Sequence, residues 1–167
     1  MTSQPDGSVA NDFQGNSGGE DQALLNVLLS PDEVNYPDQP VAVGDTWDNS
    51  AKLRKAFTVD PKDQFSAAFK LDSVTTVGGK QMGQISFKIV HSYHDDSGSG
   101  GLPTDTVDEQ TGTMQVDIAA GMIVTADMKE LSTATSVSKN PPGKLVDISE
   151  HNLHCRVLTD AGALPKL

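Results

Sequence analysis

Apolar and polar residues alternate through the middle of the chain, and this alternation predicts β-strands. Every second residue is apolar in residues 67–71, and the same pattern returns in residues 85–89. Side chains two positions apart share one face of a strand, so each run presents a single apolar face. The sequence VGGK at 77–80 is typical of a tight turn. The two runs are therefore predicted to form a hairpin.

A second hairpin is predicted further along the chain. Residues 113–118 alternate and residues 119–121 turn the chain. The return strand is expected to continue the apolar face with Met122, Val124, Ala126 and Met128. The polar, glycine-rich stretch from His94 to Gln110 is predicted to be a long loop, and the sequence NPPG at 140–143 another turn.

The last apolar run changes its phase. Val146 and Ile148 occupy even positions, whereas Leu153, Cys155 and Val157 occupy odd positions. A shift of one residue sends every following side chain to the opposite face of a strand. A β-bulge or a short interruption is therefore predicted near residues 149–152.

The first fifty residues contain other elements. Residues 1–19 are rich in Gly, Ser, Asn and Asp, which predicts a flexible arm or linker. Residues 20–30 carry four leucines at helical spacing and predict a short helix that ends at Ser30-Pro31. Residues 40–47 predict a short strand with a turn at Gly44-Asp45, followed by Trp47 as an aromatic anchor in the core. A wall of a ligand pocket is the alternative role for Trp47.

Together these elements predict a mainly β fold. We expect about six antiparallel strands in a meander that forms a curved sheet or a partly open barrel, with one short N-terminal helix. Residues 20–160 are predicted to be a single β-rich domain, and residues 161–167 a tail.

The charge balance excludes some partners. The 12 basic and 23 acidic residues give a formal net charge of -11, which repels nucleic acids and anionic membrane surfaces. No stretch approaches the roughly 18 apolar residues of a membrane span. Residues 1–19 lack the basic and apolar regions of a secretory signal peptide, so the chain is either cytosolic or the trimmed form of an exported protein.

The candidate chemistry centres on histidine. All four histidines occur in two HxxH pairs, and the single cysteine follows the second pair; the candidate metal ligands are His91, His94, His151, His154 and Cys155. Imidazole and thiolate bind zinc and copper well. Residues three apart on a strand point to opposite faces, so a site would combine different strands, for example His91 with His154. The alternative is that the histidines are solvated and that the cysteine is a buried apolar side chain.

Other chemical motifs are weaker. Five acidic residues between positions 95 and 109 offer calcium ligands without the spacing of a calcium loop: Asp95, Asp96, Asp105, Asp108 and Glu109. The sequence GNSGG at 15–19 is similar to the segment around the nucleophile of trypsin-like proteases, but no histidine precedes it. No phosphate-binding loop or hydrolase motif is present, so no cofactor is expected.

One segment resembles a known family. Residues 37–47 read PDQPVAVGDTW, residues 71–74 read LDSV before Gly78-Gly79, and residues 108–114 read DEQTGTM. These motifs resemble the P-x-x-P-V-x-V-G-D-x-W opening and the later strands of an uncharacterised family of exported bacterial proteins, a domain of unknown function. The resemblance covers about residues 37–130. It implies a β-rich protein that is exported or held by a lipid anchor outside this sequence, and it supplies no activity and no site residues.

Two functions and, as a third option, a purely structural role within a larger chain are compatible with these observations. The first is a non-enzymatic domain of the periplasm, cell envelope or extracellular space that binds an unknown ligand or protein partner through the face or edge of its sheet. The second is a metal-binding protein or metal-dependent enzyme that uses the HxxH pairs.

Overall fold

The computed structural model describes residues 36–98, 101–139 and 141–156, without the side chains of Cys155 and Arg156. These residues form one antiparallel sheet whose strands follow each other in chain order. The elements are β1 (Thr46–Asp48), α1 (Ser50–Ala56), β2 (Gln64–Val77), β3 (Lys80–Asp95), β4 (Thr104–Asp117), β5 (Met122–Lys139) and β6 (Pro142–Arg156). The predicted six-stranded meander is confirmed, and within the described residues β1 and β6 do not pair, so the sheet stays open.

The described helix, α1, is not the helix that the sequence pattern predicts. The leucine-rich segment 20–30 falls outside the described residues. Helix α1 contains a single buried apolar side chain, Leu53, which is fully shielded from solvent in the core. One buried apolar residue in seven gives no detectable helical period, which is why the sequence pattern did not predict α1.

The segment before β1 also differs from its prediction. The turn lies one residue earlier, because Asp45 N donates to Ala42 O at 3.0 Å and Gly44 has a φ of 97°. The Asp45 carboxylate accepts a hydrogen bond from Ala42 N at 2.8 Å and closes the same turn. The strand covers only Thr46–Asp48.

The first predicted hairpin is confirmed. β2 and β3 pair from Gln64 with Ser92 to Val77 with Lys80. The loop between them consists of Gly78 and Gly79, whose φ angles are 58° and 82°. Two consecutive positive φ angles define the type I′ turn, whose twist matches that of the flanking strands.

The predicted loop from His94 to Gln110 is wrong. β3 continues to Asp95 and β4 begins at Thr104, so only residues 96–103 connect the two strands. The polar run from 104 to 110 is a strand because each of its residues has a cross-strand partner on both β3 and β5. Pairing in the sheet, and not an apolar face, keeps this segment extended.

The return strand of the second hairpin has the predicted phase at Ala126 and Met128, but a different phase at its start. The register shifts between Gln115 and Val116, which pair with Thr125 and Ile123. The extra residue on β5 is Val124, and it turns the strand so that Ile123 and not Met122 faces the core. Ile123 is 7% exposed, whereas Met122 is 40% exposed.

The predicted bulge in β6 is also wrong. β6 pairs with β5 without a register shift from Pro142 to Arg156. The apolar residues switch from even to odd positions because they lie on different faces of β6. Val146 and Ile148 lie on the exposed face, and Leu153 lies on the face that packs against the core. Apolar side chains on both faces of one edge strand produced the misleading pattern.

The two faces of the sheet have different surroundings. Paired residues of antiparallel strands share a face, so the register assigns every strand residue to one side. The core face carries the buried apolar side chains Ala67, Phe69, Leu71, Ile85, Phe87, Ile89, Met114, Val116, Ile123, Ala126 and Met128. We call the opposite side the outer face. No helix in the described part of the chain is long and apolar enough to cross a membrane.

Candidate functional site

The core face changes from apolar to polar along its strands. Around Phe87 and Met128 it is filled with buried apolar side chains. Toward the other end of β3, β4 and β5, polar side chains take the same inward positions. We call these residues the polar half of the core face: His91, Tyr93, Thr106, Asp108, Gln110, Glu130, Ser132 and His151. Most of them are half-buried, so they point inward and still reach solvent.

Aromatic rings border the polar half beside β2. The His91 ring lies 4.9 Å from the Tyr93 ring and 6.0 Å from the Phe65 ring, measured between centroids. On Phe65, the Arg54 guanidinium carbon lies 5.8 Å from the ring centroid. Cation–π contact of this kind and ring packing hold the aromatic group in place.

An imidazole–carboxylate pair lies next to these rings. His91 Nε2 is 3.0 Å from Asp63 Oδ2, and the two side chains are 28% and 18% exposed. The loop that carries Asp63 is fixed to α1, because Arg54 donates to the main-chain oxygens of Asp60 and Asp63 at 2.8 Å each. The short helix therefore positions one member of the pair and the sheet positions the other.

Carboxylate and amide groups occupy the centre of the polar half. Asp108 is the direct cross-strand partner of His91. Gln110 Nε2 donates to Glu130 Oε1 at 3.2 Å, across β4 and β5. Glu130 in turn is opposite His151 on β6. Neighbouring strands lie about 4.8 Å apart, so these groups form a continuous row that can offer several hydrogen bonds to one bound molecule.

The structure places the four candidate histidines on two different faces. His91 and His151 lie on the core face, whereas His94 and His154 lie on the outer face. Each HxxH pair is therefore divided between the two faces, as the pleat of a strand requires. Among the described side chains no group of three or more His, Cys, Asp or Glu could hold a metal ion. The metal site remains a prediction, because the side chain of Cys155 is not among those described.

The two outer-face histidines form hydrogen bonds with aspartates. His94 Nδ1 is 2.7 Å from Asp105 and its Nε2 is 3.2 Å from Asp96. Hydrogen bonds to Asp105 and then Asp96 raise the pKa of His94 above its ordinary value. His154 Nδ1 lies 2.5 Å from Asp127 on β5.

The acidic residues that suggested calcium do not converge. Asp108 lies on the core face and Glu109 on the outer face, where it pairs with Lys88 at 2.7 Å. Asp105 is engaged by His94. Alternation along β4 separates these carboxylates, so the described residues offer no calcium loop.

A groove near Trp47 lies at the β1 edge. Its volume is about 600 Å³, and it is lined by residues 37–41 and 44–49. The Trp47 ring stacks on Phe69 with centroids 5.7 Å apart, which supports its predicted role as an anchor of the core. Two carboxylates in the groove are engaged locally: Asp38 with Lys52, and Asp48 with Ser50 N.

A second groove lies on the outer face. It has a volume of about 430 Å³ and crosses β4, β5 and β6. The His154–Asp127 pair lies in it, together with Lys129 and Asn152. It is shallow and open to solvent, and its charged groups include both signs.

Comparison with known proteins gives no relative. No family model, no curated protein and no solved structure matches the chain. The chemistry of the site itself is therefore the guide to function.

Proposed function

We propose that this chain is a non-enzymatic binding domain that takes a ligand or a partner on the polar half of its core face. The observation that carries this proposal is the change along one face of a single sheet. Apolar side chains are buried at one end, and at the other end most of the inward polar side chains are only half-buried, although Thr106 is buried. A few converging polar groups beside apolar and aromatic side chains are typical of the lining of a binding site.

The chemistry of the polar half favours a ligand with cationic or hydrogen-bond-donating groups. Asp108 and Glu130 contribute carboxylates, Asp63 adds a third beside His91, and the net charge of -11 attracts cations toward the whole molecule. The Tyr93 and His91 rings add flat surfaces on which an apolar or planar part of a ligand can pack.

An amide chemical-shift titration of the ¹⁵N-labelled chain tests the proposal. Three probes of different chemistry are compared at physiological ionic strength: spermidine as an organic cation, citrate as an organic anion and glucose as a neutral polyol. We expect spermidine to shift the amide signals of His91, Asp108, Gln110 and Glu130, and citrate to leave them unchanged. The proposal is contradicted if none of the probes shifts these signals.

A matched pair of variants separates a site from general attraction. Asp108→Asn removes one carboxylate from the polar half, and Asp96→Asn removes one from a loop where its side chain is 95% exposed. Asp108→Asn should weaken spermidine binding by about tenfold, in line with the loss of one charge-assisted contact of about 1.4 kcal/mol. Equal effects of the two substitutions would show that spermidine only senses the net charge.

An extracytoplasmic location is part of the same proposal. Its support is the resemblance of residues 37–47 to the opening of exported bacterial proteins, and a lipid anchor beyond this sequence belongs to the same expectation. Fractionation of the native host, with an antibody against the chain, would place it in the envelope or the medium. Recovery only with cytosolic markers would contradict this location.

A further inference from the structure

Strand β6 forms an edge of the sheet. It is the last strand in the order and, in the described part of the chain, it pairs with β5 alone. Its side chains are exposed from Pro142 to Asn152, and Leu145 and Ile148 are each 63% exposed. An edge strand presents a row of main-chain donors and acceptors to any chain that can pair with it.

This edge has few of the usual protections against pairing. Proteins commonly guard an edge with charged side chains, a bulge, an internal proline or a very short strand. Of these, β6 has only charged side chains, such as Lys144 and Glu150. β6 is 15 residues long and pairs with β5 without a register shift, and its proline stands at the first position. A long regular edge with exposed apolar side chains is suited to strand addition.

We propose that β6 pairs with β6 of a second copy of this chain, antiparallel and about a two-fold axis. In a full-length register, Pro142 of one copy lies opposite Arg156 of the other, and Ser149 lies on the axis. Asp147 then faces His151 twice, once on each side of the axis. A two-fold axis perpendicular to the sheet keeps the core faces of both copies on the same side.

The side chains favour this register over its neighbours. An imidazole donates a hydrogen bond to a carboxylate in either protonation state, so each Asp147–His151 contact is attractive. Leu145 also meets Leu153 twice. Shifting the register by one step in one direction places Glu150 opposite Glu150, and a step in the other direction places Ile148 opposite Ile148 and removes both Asp147–His151 contacts. Like charges directly opposite each other are destabilising.

Exchange of the charges between two variants tests the pairing. Asp147→Lys alone places two Lys–His contacts beside the axis, and His151→Asp alone places two Asp–Asp contacts there. In a mixed dimer, however, the new lysine of the first variant meets the new aspartate of the second, and the remaining contact is the native pair of Asp147 with His151. Only β6–β6 pairing in this register predicts that two defective variants restore each other.

Sedimentation velocity over a concentration series, at physiological ionic strength, measures the result. We expect wild-type protein to dimerise, each single variant to weaken dimerisation by about tenfold or more, and the equimolar mixture to recover it. Asp96→Lys is the control, because it makes the same charge change as Asp147→Lys in an exposed loop. Circular dichroism and melting curves check that every variant is folded.

Two outcomes overturn the pairing. One is a wild-type chain that stays monomeric at about 1 mM, in which case residues beyond the described range become the candidates to cover β6. The other is a dimer that Asp147→Lys leaves unchanged, since such a dimer forms through another surface.

A cross-link checks the register independently. In a Cys155→Ala background, Ser149→Cys places the only thiol of each copy next to the axis. We expect a short bifunctional maleimide to link the Ser149→Cys copies efficiently and to link Asp96→Cys copies poorly. Equal yields from both positions would contradict pairing through β6.

Discussion

Gly112 of β4 lies directly opposite Phe87 of β3, and the phenyl ring fills the space that a side chain at Gly112 would need. A Cβ atom at this position would lie 2.7 Å from Phe87 Cζ and would overlap the main-chain oxygen of Asp127 on β5. Phe87 is 5% exposed, so its ring cannot move into solvent without opening the core. A glycine in the middle of the sheet therefore permits the aromatic packing above it.

Gly112→Ala should destabilise the fold by about 1–3 kcal/mol, because overpacking forces a shift of the ring or of a strand. Gly143→Ala is the control, since nothing lies within 4 Å of a Cβ atom at Gly143 in β6. Urea unfolding followed by circular dichroism gives both free energies. Equal stabilities of the two variants would show that Gly112 is not held in close contact.

The phase of β5 can be tested with two neighbouring residues. Ile123→Ala should cost about 2–5 kcal/mol because it empties part of the core, whereas Met122→Ala should cost well below about 1 kcal/mol. The comparison uses the same unfolding measurement. A larger loss of stability in Met122→Ala than in Ile123→Ala would show that Met122 faces the core, as the sequence pattern predicts.

The β2–β3 turn depends on the left-handed conformation of two residues. Gly79→Val should destabilise the hairpin by about 1–2 kcal/mol, because a β-branched residue is strained at a φ of 82°. Gly78→Asn should be nearly neutral, since Asn tolerates a φ of 58° and Asn-Gly favours this turn. Thermal unfolding distinguishes the two. If Gly79→Val unfolded at the same temperature as the wild type, the turn would not be type I′.

His94 should titrate above the ordinary histidine pKa, because Asp105 and Asp96 stabilise its charged form. A folded-state pKa above the unfolded value gives stability that is fully present below the unfolded pKa and is lost as the pH rises through the folded pKa. NMR titration of the imidazole should show Asp105→Asn lowering this pKa. The same substitution should reduce stability in mildly acidic solution and have little effect in alkaline solution.

The strands with one apolar face could be predicted from the sequence. Residues 67–71 and 85–89 alternate because one side packs into the core and the other meets solvent, and the Gly78-Gly79 signal fixes their connection. The polar start of β4 could not be predicted. Its inward side chains are Thr106, Asp108 and Gln110, so local polarity resembles that of a loop.

The candidate site shows the same division. The sequence drew attention to His91 through its HxxH spacing, and the alternation rule already implied that His91 and His94 diverge. The partners of His91 came only from the structure: Asp63 reaches it from a loop held by α1, and Tyr93 and Asp108 become its neighbours through the pleat and the β3–β4 register.

Patterns within a few neighbouring residues were enough to specify the class of fold, because alternating hydrophobicity and glycine turns act locally and together favour an antiparallel meander. The folded sheet was needed to show which side of each strand faces inward, where one extra residue such as Val124 shifts the phase, and which polar side chains share the core face. These features depend on cross-strand register, which joins residues that are distant in the chain and leaves no local mark on the sequence.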